Sequence, residues 1–192
     1  MTNIIKESSR GYDCIPIEDE LFLKRKIFLT KPVDASTMDS LVKQLLYLSS
    51  EEPDKEITIY INSPGGEVQS GLAAYDLLKL IQSPITTVCI GEAASMGAIL
   101  FLSGDRRVVL PHSSIMIHDP APGGGDMKGM KPDEMEEKLS GLKKTRDRLC
   151  EIIAGTTGKT VKQIMKKTRK DSFFTAEEAL EYGLATEMAE RI

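Results

Sequence analysis

The chain has 192 residues, a formal net charge of −4, 41% apolar and 28% charged residues. That length supports one domain burying roughly 70% of its extended-chain surface. The acidic balance argues against a nucleic-acid-binding surface, no apolar run reaches the length of a membrane span, and residues 1–10 lack the apolar core of a signal peptide. Cys14, Cys89 and Cys150 are widely spaced, odd in number and without a CxxC pattern. They read as free thiols in a reducing cytoplasm. The two histidines, His112 and His118, are too few for a His-rich metal site.

Residues 1–20 are polar and end in Glu18-Asp19-Glu20, which predicts a flexible or partner-ordered arm. Residues 26–29 read as a short buried strand. Asp34 or Ser36 can cap the next helix, where Met38, Leu41, Val42, Leu45, Leu46 and Leu48 recur at helical spacing. Residues 57–61 are strand-like and run into the turn Asn62-Ser63-Pro64-Gly65-Gly66. Glu67 opens a helix whose apolar positions are Val68, Leu72, Ala73, Tyr75, Leu77, Leu78 and Leu80, and Ser83-Pro84 stops it. Residues 85–90 form a strand, the small-residue stretch Gly91-Glu92-Ala93-Ala94-Ser95-Met96-Gly97-Ala98 follows, and residues 99–102 continue as helix. Short strands are predicted at 107–110 and 114–117. This alternation of strand and helix indicates α/β architecture with mostly parallel strands.

Residues 118–126 carry too much Pro and Gly for a regular helix. Residues 132–154 predict a long charged helix with an interrupted stripe of Met135, Leu139, Leu142, Leu149, Ile152 and Ile153. Such a helix either lies on the domain surface or projects and buries its stripe against another subunit. A short amphipathic helix with Val161, Ile164 and Met165 comes next. Gly158-Lys159-Thr160 lacks the upstream glycine spacing of a phosphate loop. Thr175-Ala176-Glu177-Glu178 is a capping box for a helix ended by Gly183. No repeat or linker divides the chain, so residues 1–192 are expected to form a single domain.

Two Gly-rich turns, Gly65-Gly66 and the stretch from Gly91 to Gly97, each follow a strand and precede a helix. In parallel α/β folds such turns lie at the carboxyl ends of strands, where sites form. Ser95 at a helix start is either an N-cap or a nucleophile whose oxyanion is held by the N–H groups of Gly66 and Met96. His118, at a strand end opening onto a loop, suits a general base, whereas His112 beside Pro111 reads as a surface residue. The carboxylate that orients the imidazole is to be sought among Asp105, Asp119, Asp126 and Asp171. Asp119 adjoins His118, and on an extended segment the two point to opposite faces. Asp171 precedes Phe173-Phe174, expected to be buried and to hold it, which gives Asp171 a slight preference.

Four stretches in order resemble the motifs of the Clp protease family proteolytic subunit (ClpP), a serine peptidase. They are Tyr60-Ile61-Asn62-Ser63-Pro64-Gly65-Gly66, Gly91 to Ala98, Met116-Ile117-His118-x-Pro120, and Asp171-x-Phe173-x-Thr175-Ala176-x-Glu178-Ala179-x-x-Tyr182-Gly183-Leu184. The likeness runs from about Ile27 to the C-terminus. It implies a ClpP/crotonase-like α/β spiral of strand–helix units, with a projecting handle over roughly 120–154. It implies Ser95, His118 and Asp171 as the catalytic triad, Gly66 and Met96 as the oxyanion hole, and no metal or organic cofactor. Two stacked heptameric rings, cytoplasmic, would enclose unfolded polypeptide substrates fed by a separate AAA+ unfoldase ATPase.

Departures from the family pattern are confined. His118-Asp119-Pro120 stands where the family has His-Gln-Pro, and Asp126-Met127-Lys128-Gly129-Met130-Lys131 replaces its Gln-Ala-Thr-Asp run. Arg169-Lys170 replaces an acidic residue and Arg that pair across rings, so Asp119 or Asp126 is expected to supply the missing carboxylate. Glu18-Asp19-Glu20 stands in a region where the family usually carries Tyr, Ser and Arg. Two other readings accompany the peptidase: a mainly structural or regulatory subunit active only with a ClpP paralogue, and a crotonase-like acyl-CoA enzyme. The order Ser-His-Asp and the long handle argue against the last.

Overall fold

The computed structural model describes residues 2–9, 11–122 and 129–191. A hairpin of β1 (Asn3–Ser8) and β2 (Gly11–Pro16) opens the chain, followed by α1 (Ile17–Leu23). Then β3 (Lys26–Leu29), α2 (Ala35–Glu51), β4 (Ile57–Ser63), α3 (Val68–Leu80), β5 (Ile85–Ala94) and α4 (Met96–Phe101) alternate. Next come β6 (Arg106–Val109), β7 (Ser114–Ile117), α5 (Pro132–Thr157) and α6 (Val161–Thr168). Last are β8 (Ser172–Phe174), α7 (Ala176–Tyr182) and β9 (Glu187–Met188). The main sheet runs β3-β4-β5-β6-β9 and is parallel throughout, with β7 and β8 branching from β5. This is the mixed α/β architecture with a mainly parallel sheet that the Clp peptidase fold requires.

Strand β5 is the organising element. Its first half pairs with β4 and β6, and its last residues pair with β7 through Glu92↔Ser114, Ala93↔Ile115 and Ala94↔Met116. The change of partner coincides with a register shift against β4 between Ile61 and Ser63. Asn62 bridges that irregularity: its Oδ1 accepts the Glu92 N–H at 3.0 Å. The sequence marks β5 only as far as Ile90, because Gly91 and the alanines after it carry no β-branched signal.

Local chemistry explains the helix boundaries. Asp34, one of the two expected caps, accepts the Thr37 N–H at 2.7 Å, while Thr37 Oγ1 accepts the Asp34 N–H at 3.0 Å. Thr175 and Glu178 form the expected box on α7, and Gly183 closes it in the left-handed region. In α2 the buried positions are Met38, Leu41, Leu45 and Leu48, and Leu46 is half exposed. Leu46 lies about 100° around the helix from Leu45, beyond the buried stripe. In α3 the expected Leu80 sits in the last turn and is 82% exposed, and Ala74 is buried rather than Ala73.

The N-terminal segment differs from the expected arm. The β-branched and aromatic residues Ile4, Ile5, Tyr12 and Ile15 pair across a hairpin, with Ser8 opposite Gly11 and Asn3 opposite Pro16. The hairpin is tied to α1 by Lys6, whose ammonium meets the Glu20 carboxylate, with Lys24 at 3.3 Å on the other oxygen. Helix α5 is divided. Its buried residues are Leu149, Cys150, Ile153 and Ala154, all near its C-terminal end, and Leu139 in its first half is exposed. Cys150 and Cys89 are buried thiols, and Cys14 is exposed. No helix among the described residues is long and apolar enough to cross a membrane.

One cation holds the sheet to α2. Arg25 is nearly buried and has φ +60°. Its guanidinium donates to the carbonyls of Leu48 (2.8 Å), Lys55 (2.9 Å), Glu56 (3.0 Å) and Glu52 (3.1 Å), and to Ser83 Oγ (3.2 Å). The four carbonyls lie at the C-terminus of α2 and in the loop behind it, where a positive charge is favoured, and Ser83 lies in the loop between α3 and β5. Replacing Arg25 with Met takes the donor from the Lys55 and Glu56 carbonyls and from Ser83, whereas the Leu48 and Glu52 carbonyls keep the N–H groups of Glu52 and Lys55. Denaturant titration is expected to show a loss of roughly 1–3 kcal/mol, and Lys, which lacks the planar fork, should recover only part of it.

The hairpin anchor responds to acid. Lys6 first, with Lys24 in support, holds the Glu20 carboxyl below its ordinary value against the opposing effect of desolvation. A carboxyl lowered in the folded state contributes stability above its ordinary pKa and loses it as pH falls through the lowered one. Amide protection in β1 and β2, relative to the intrinsic exchange rate at each pH, is therefore expected to fall as pH drops below the ordinary glutamate range, before the main sheet opens. Glu20→Gln should remove that pH dependence.

Candidate active site

Ser95 joins β5 to α4 with φ 53° and ψ −120°, a conformation that side chains rarely adopt. Its backbone is pinned on both sides. Its N–H donates to the Met116 carbonyl at 2.8 Å, and its carbonyl accepts the N–H groups of Ala98 (3.0 Å) and Ile99 (3.2 Å). Ser95 occupies the N-cap position of α4, yet its side chain makes no capping bond. The hydroxyl instead faces His118, with Oγ 2.8 Å from Nε2.

The two Gly-rich turns meet here. Gly65 has φ +88°, and a Cβ added to it would stand 2.6 Å from the Ala94 carbonyl oxygen, 2.7 Å from Ser95 Cβ and 2.8 Å from the Met96 nitrogen. No side chain fits between the turns. Gly66 lies beside Val33 in a parallel bridge. The Val33 N–H donates to the Gly65 carbonyl and the Glu67 N–H donates to the Val33 carbonyl, each at 2.8 Å. In that pattern the bridged residue's own N–H points away from the partner strand, so the Gly66 N–H is left available on the other side. A Cβ at Gly66 would sit 2.1 Å from the Val33 carbonyl oxygen. The Met96 N–H belongs to the first turn of α4, where amides have no intrahelical acceptor.

His118 and Asp171 are brought together by register. Strands β7 and β8 are antiparallel, with Ile115↔Phe174, Met116↔Phe173 and Ile117↔Ser172. Continued by one residue, the ladder sets His118 opposite Asp171, and directly opposed residues share a face. Nδ1 of His118 stands 3.4 Å from Oδ1 of Asp171. The imidazole is about a quarter exposed, and the Asp171 side chain is 66% exposed. The expected buried Phe pair is half right: Phe174 is buried and Phe173 is 60% exposed. Successive residues of a strand face opposite ways, so only one of the two can enter the core. Asp171 is steadied instead by the ladder and by Ser172, whose Oγ donates to the Lys167 carbonyl at 2.8 Å.

The other candidates lie elsewhere. Asp105 accepts the Ile85 N–H at the opposite end of β5 and pairs with Lys79. Asp119 points away from His118, and its Oδ1 accepts the Thr168 hydroxyl at 2.5 Å. Asp119 is thus engaged within its own chain, and Asp126, the other carboxylate expected to serve Arg169 or Lys170, lies outside the described residues. His112 is exposed in the turn between β6 and β7. Two contributors were not singled out by the sequence, although Ser63 lies within the turn motif. Val33 lies in a stretch legible only as a loop, and buried Ser63 donates its hydroxyl to the Lys31 carbonyl at 2.7 Å, fixing the start of the glycine turn.

Beside Ser95 an apolar pocket is walled by Val68, Ile99, Ile117, Pro120, Leu149 and Ile153. Its last two walls come from the buried end of α5. The assembled groups are a hydroxyl against an imidazole, a carboxylate behind the imidazole, two unclaimed backbone donors and an apolar recess. That set matches the requirements of acyl transfer.

The family model described as Clp protease matches residues 9–191. The match takes in Ser95, His118 and Asp171, and begins upstream of β3, inside the hairpin. The chain belongs to the Clp protease family of peptidases.

Proposed function

We propose that the chain is a serine endopeptidase subunit that hydrolyses peptide bonds of unfolded proteins. The observation that carries this reading is the 2.8 Å contact between Ser95 Oγ and His118 Nε2. Ser95 Oγ attacks the peptide carbonyl carbon while His118 Nε2 takes the hydroxyl proton. The carbonyl oxygen becomes an oxyanion held by the N–H groups of Gly66 and Met96. His118 passes the proton to the leaving amine as the C–N bond breaks, leaving an acyl-enzyme. Water, deprotonated by the same imidazole, releases the acid. Asp171 holds the imidazole's tautomer and stabilises its charged form.

The membership supports the larger setting: two stacked heptameric rings in the cytoplasm, fed by a separate AAA+ ATPase of the Clp type. The exposed first half of α5, with Leu139 uncovered, supports a handle over roughly 120–154 that is covered in the assembly. A second reading is favoured by one observation. The 3.4 Å gap between His118 and an exposed Asp171 is longer than a good hydrogen bond. In that reading the chain is a mainly structural or regulatory subunit, active only where a mixed complex with a ClpP paralogue closes the gap.

A fluorophosphonate probe and a short chromogenic peptide test the reading. Ser95→Ala is expected to abolish labelling and to lower kcat by roughly 10⁴–10⁶-fold, while Asp171→Asn should cost about 10⁴-fold. Labelling that persists in Ser95→Ala would sink the serine mechanism. Labelling that requires an added paralogue would favour the second reading. Gly65→Ala should also silence the site, because the new Cβ displaces Ser95 and Met96. Loss of labelling in a variant that still forms the native sheet by circular dichroism checks this.

A further inference from the structure

The approach of Asp171 to His118 is set from two sides, and only one of them is the β7–β8 ladder. Beyond Ile117↔Ser172 the two segments do not continue as strands. Instead the Asp119 N–H donates to the Thr168 carbonyl at 2.8 Å, and the Thr168 hydroxyl donates to Asp119 Oδ1 at 2.5 Å. This double contact joins the residue after the imidazole to the last residue of α6. Arg169, Lys170 and Asp171 then span the short interval between two fixed points, Thr168 and Ser172.

Thr168 is 2% exposed, and its hydroxyl rests against Cys150 Sγ at 3.8 Å. A buried hydroxyl needs an acceptor, and a carboxylate is a stronger one than a neutral oxygen. Asp119 thus joins the end of β7 to the end of α6, and Thr168 in turn meets α5 through Cys150.

We propose that Thr168 and Asp119 are positioning residues for the triad: their paired hydrogen bonds fix the 169–171 bridge so that Asp171 stays opposite His118. Neither touches substrate. They act through Asp171, and this inference rests on the serine peptidase reading above.

The test is a double-mutant cycle on the full chain, read by hydrolysis of an activated peptide ester, whose good leaving group keeps weak variants measurable. Thr168→Val removes the donor at nearly constant volume. It is expected to lower kcat about tenfold with KM within about twofold, the scale of a small misplacement at a catalytic group. Thr168→Ser, which restores the hydroxyl, should return kcat to within about twofold of the parent. In an Asp171→Ala background, Thr168→Val should have no further effect, because the group it positions is gone. An equal tenfold loss in both backgrounds, or no loss in either, overturns the proposal. If Thr168→Val does not fold, Asp119→Ala runs the same cycle with the same expected outcomes. Ser95→Ala separates the two claims. Ester hydrolysis that survives it sinks the peptidase reading. Hydrolysis lost in Ser95→Ala but unchanged in Thr168→Val and Asp119→Ala sinks only the positioning pair.

Discussion

The contact on which the site depends is the approach of two backbone turns with no side chain between them. Gly65 lies against Ala94, Ser95 and Met96 at distances that leave no room for a methyl group. Because of that approach, the amides of Gly66 and Met96 can flank one point in space. Because of it, too, Ser95 must turn sharply into α4, at a dihedral cost on the order of 1–3 kcal/mol. The surroundings hold the turn in place. The Met116 carbonyl grips its entry, and the first turn of α4 grips its exit. The strain persists because three elements over-determine the residue's position.

Much of this was legible in the residues, and the reasons for the rest are physical. The strand–turn–helix grammar, the Asp34 and Thr175 caps and the Gly183 stop are local signals, and local chemistry decides them. The choice between Ser95 as a cap and Ser95 as a nucleophile was not local. It turned on where His118 lies, and that depends on β7 pairing with a strand of three residues. No periodicity is readable in so short a segment, so the anchoring of Asp171 was assigned to a Phe pair when the ladder and Ser172 supply it. The hairpin escaped for a related reason. Its strands are mostly exposed, so polar residues alternate with no apolar face to mark them. Val33 escaped because its contribution is a backbone bridge, to which the identity of the side chain is almost indifferent.

Helix α5 divides its work along its length. Its inner end walls the pocket beside Ser95 and lies under Thr168. Its outer half carries charge and a broken apolar stripe with no buried residue. One helix therefore connects the recess beside Ser95 to an exposed surface that carries Leu139. The 3.4 Å gap at Asp171 lies close to the inner end of that helix.

The pairing of β7 with β8 limits which changes of length the chain can absorb. Residues 118 and 171 face one another because each lies one step beyond a paired position. One residue inserted between Ile115 and His118 would turn the imidazole to the other face of the sheet. Only a matching insertion in β8 would bring the two groups level again, and the pairing of β7 with β5 would then have to slip as well.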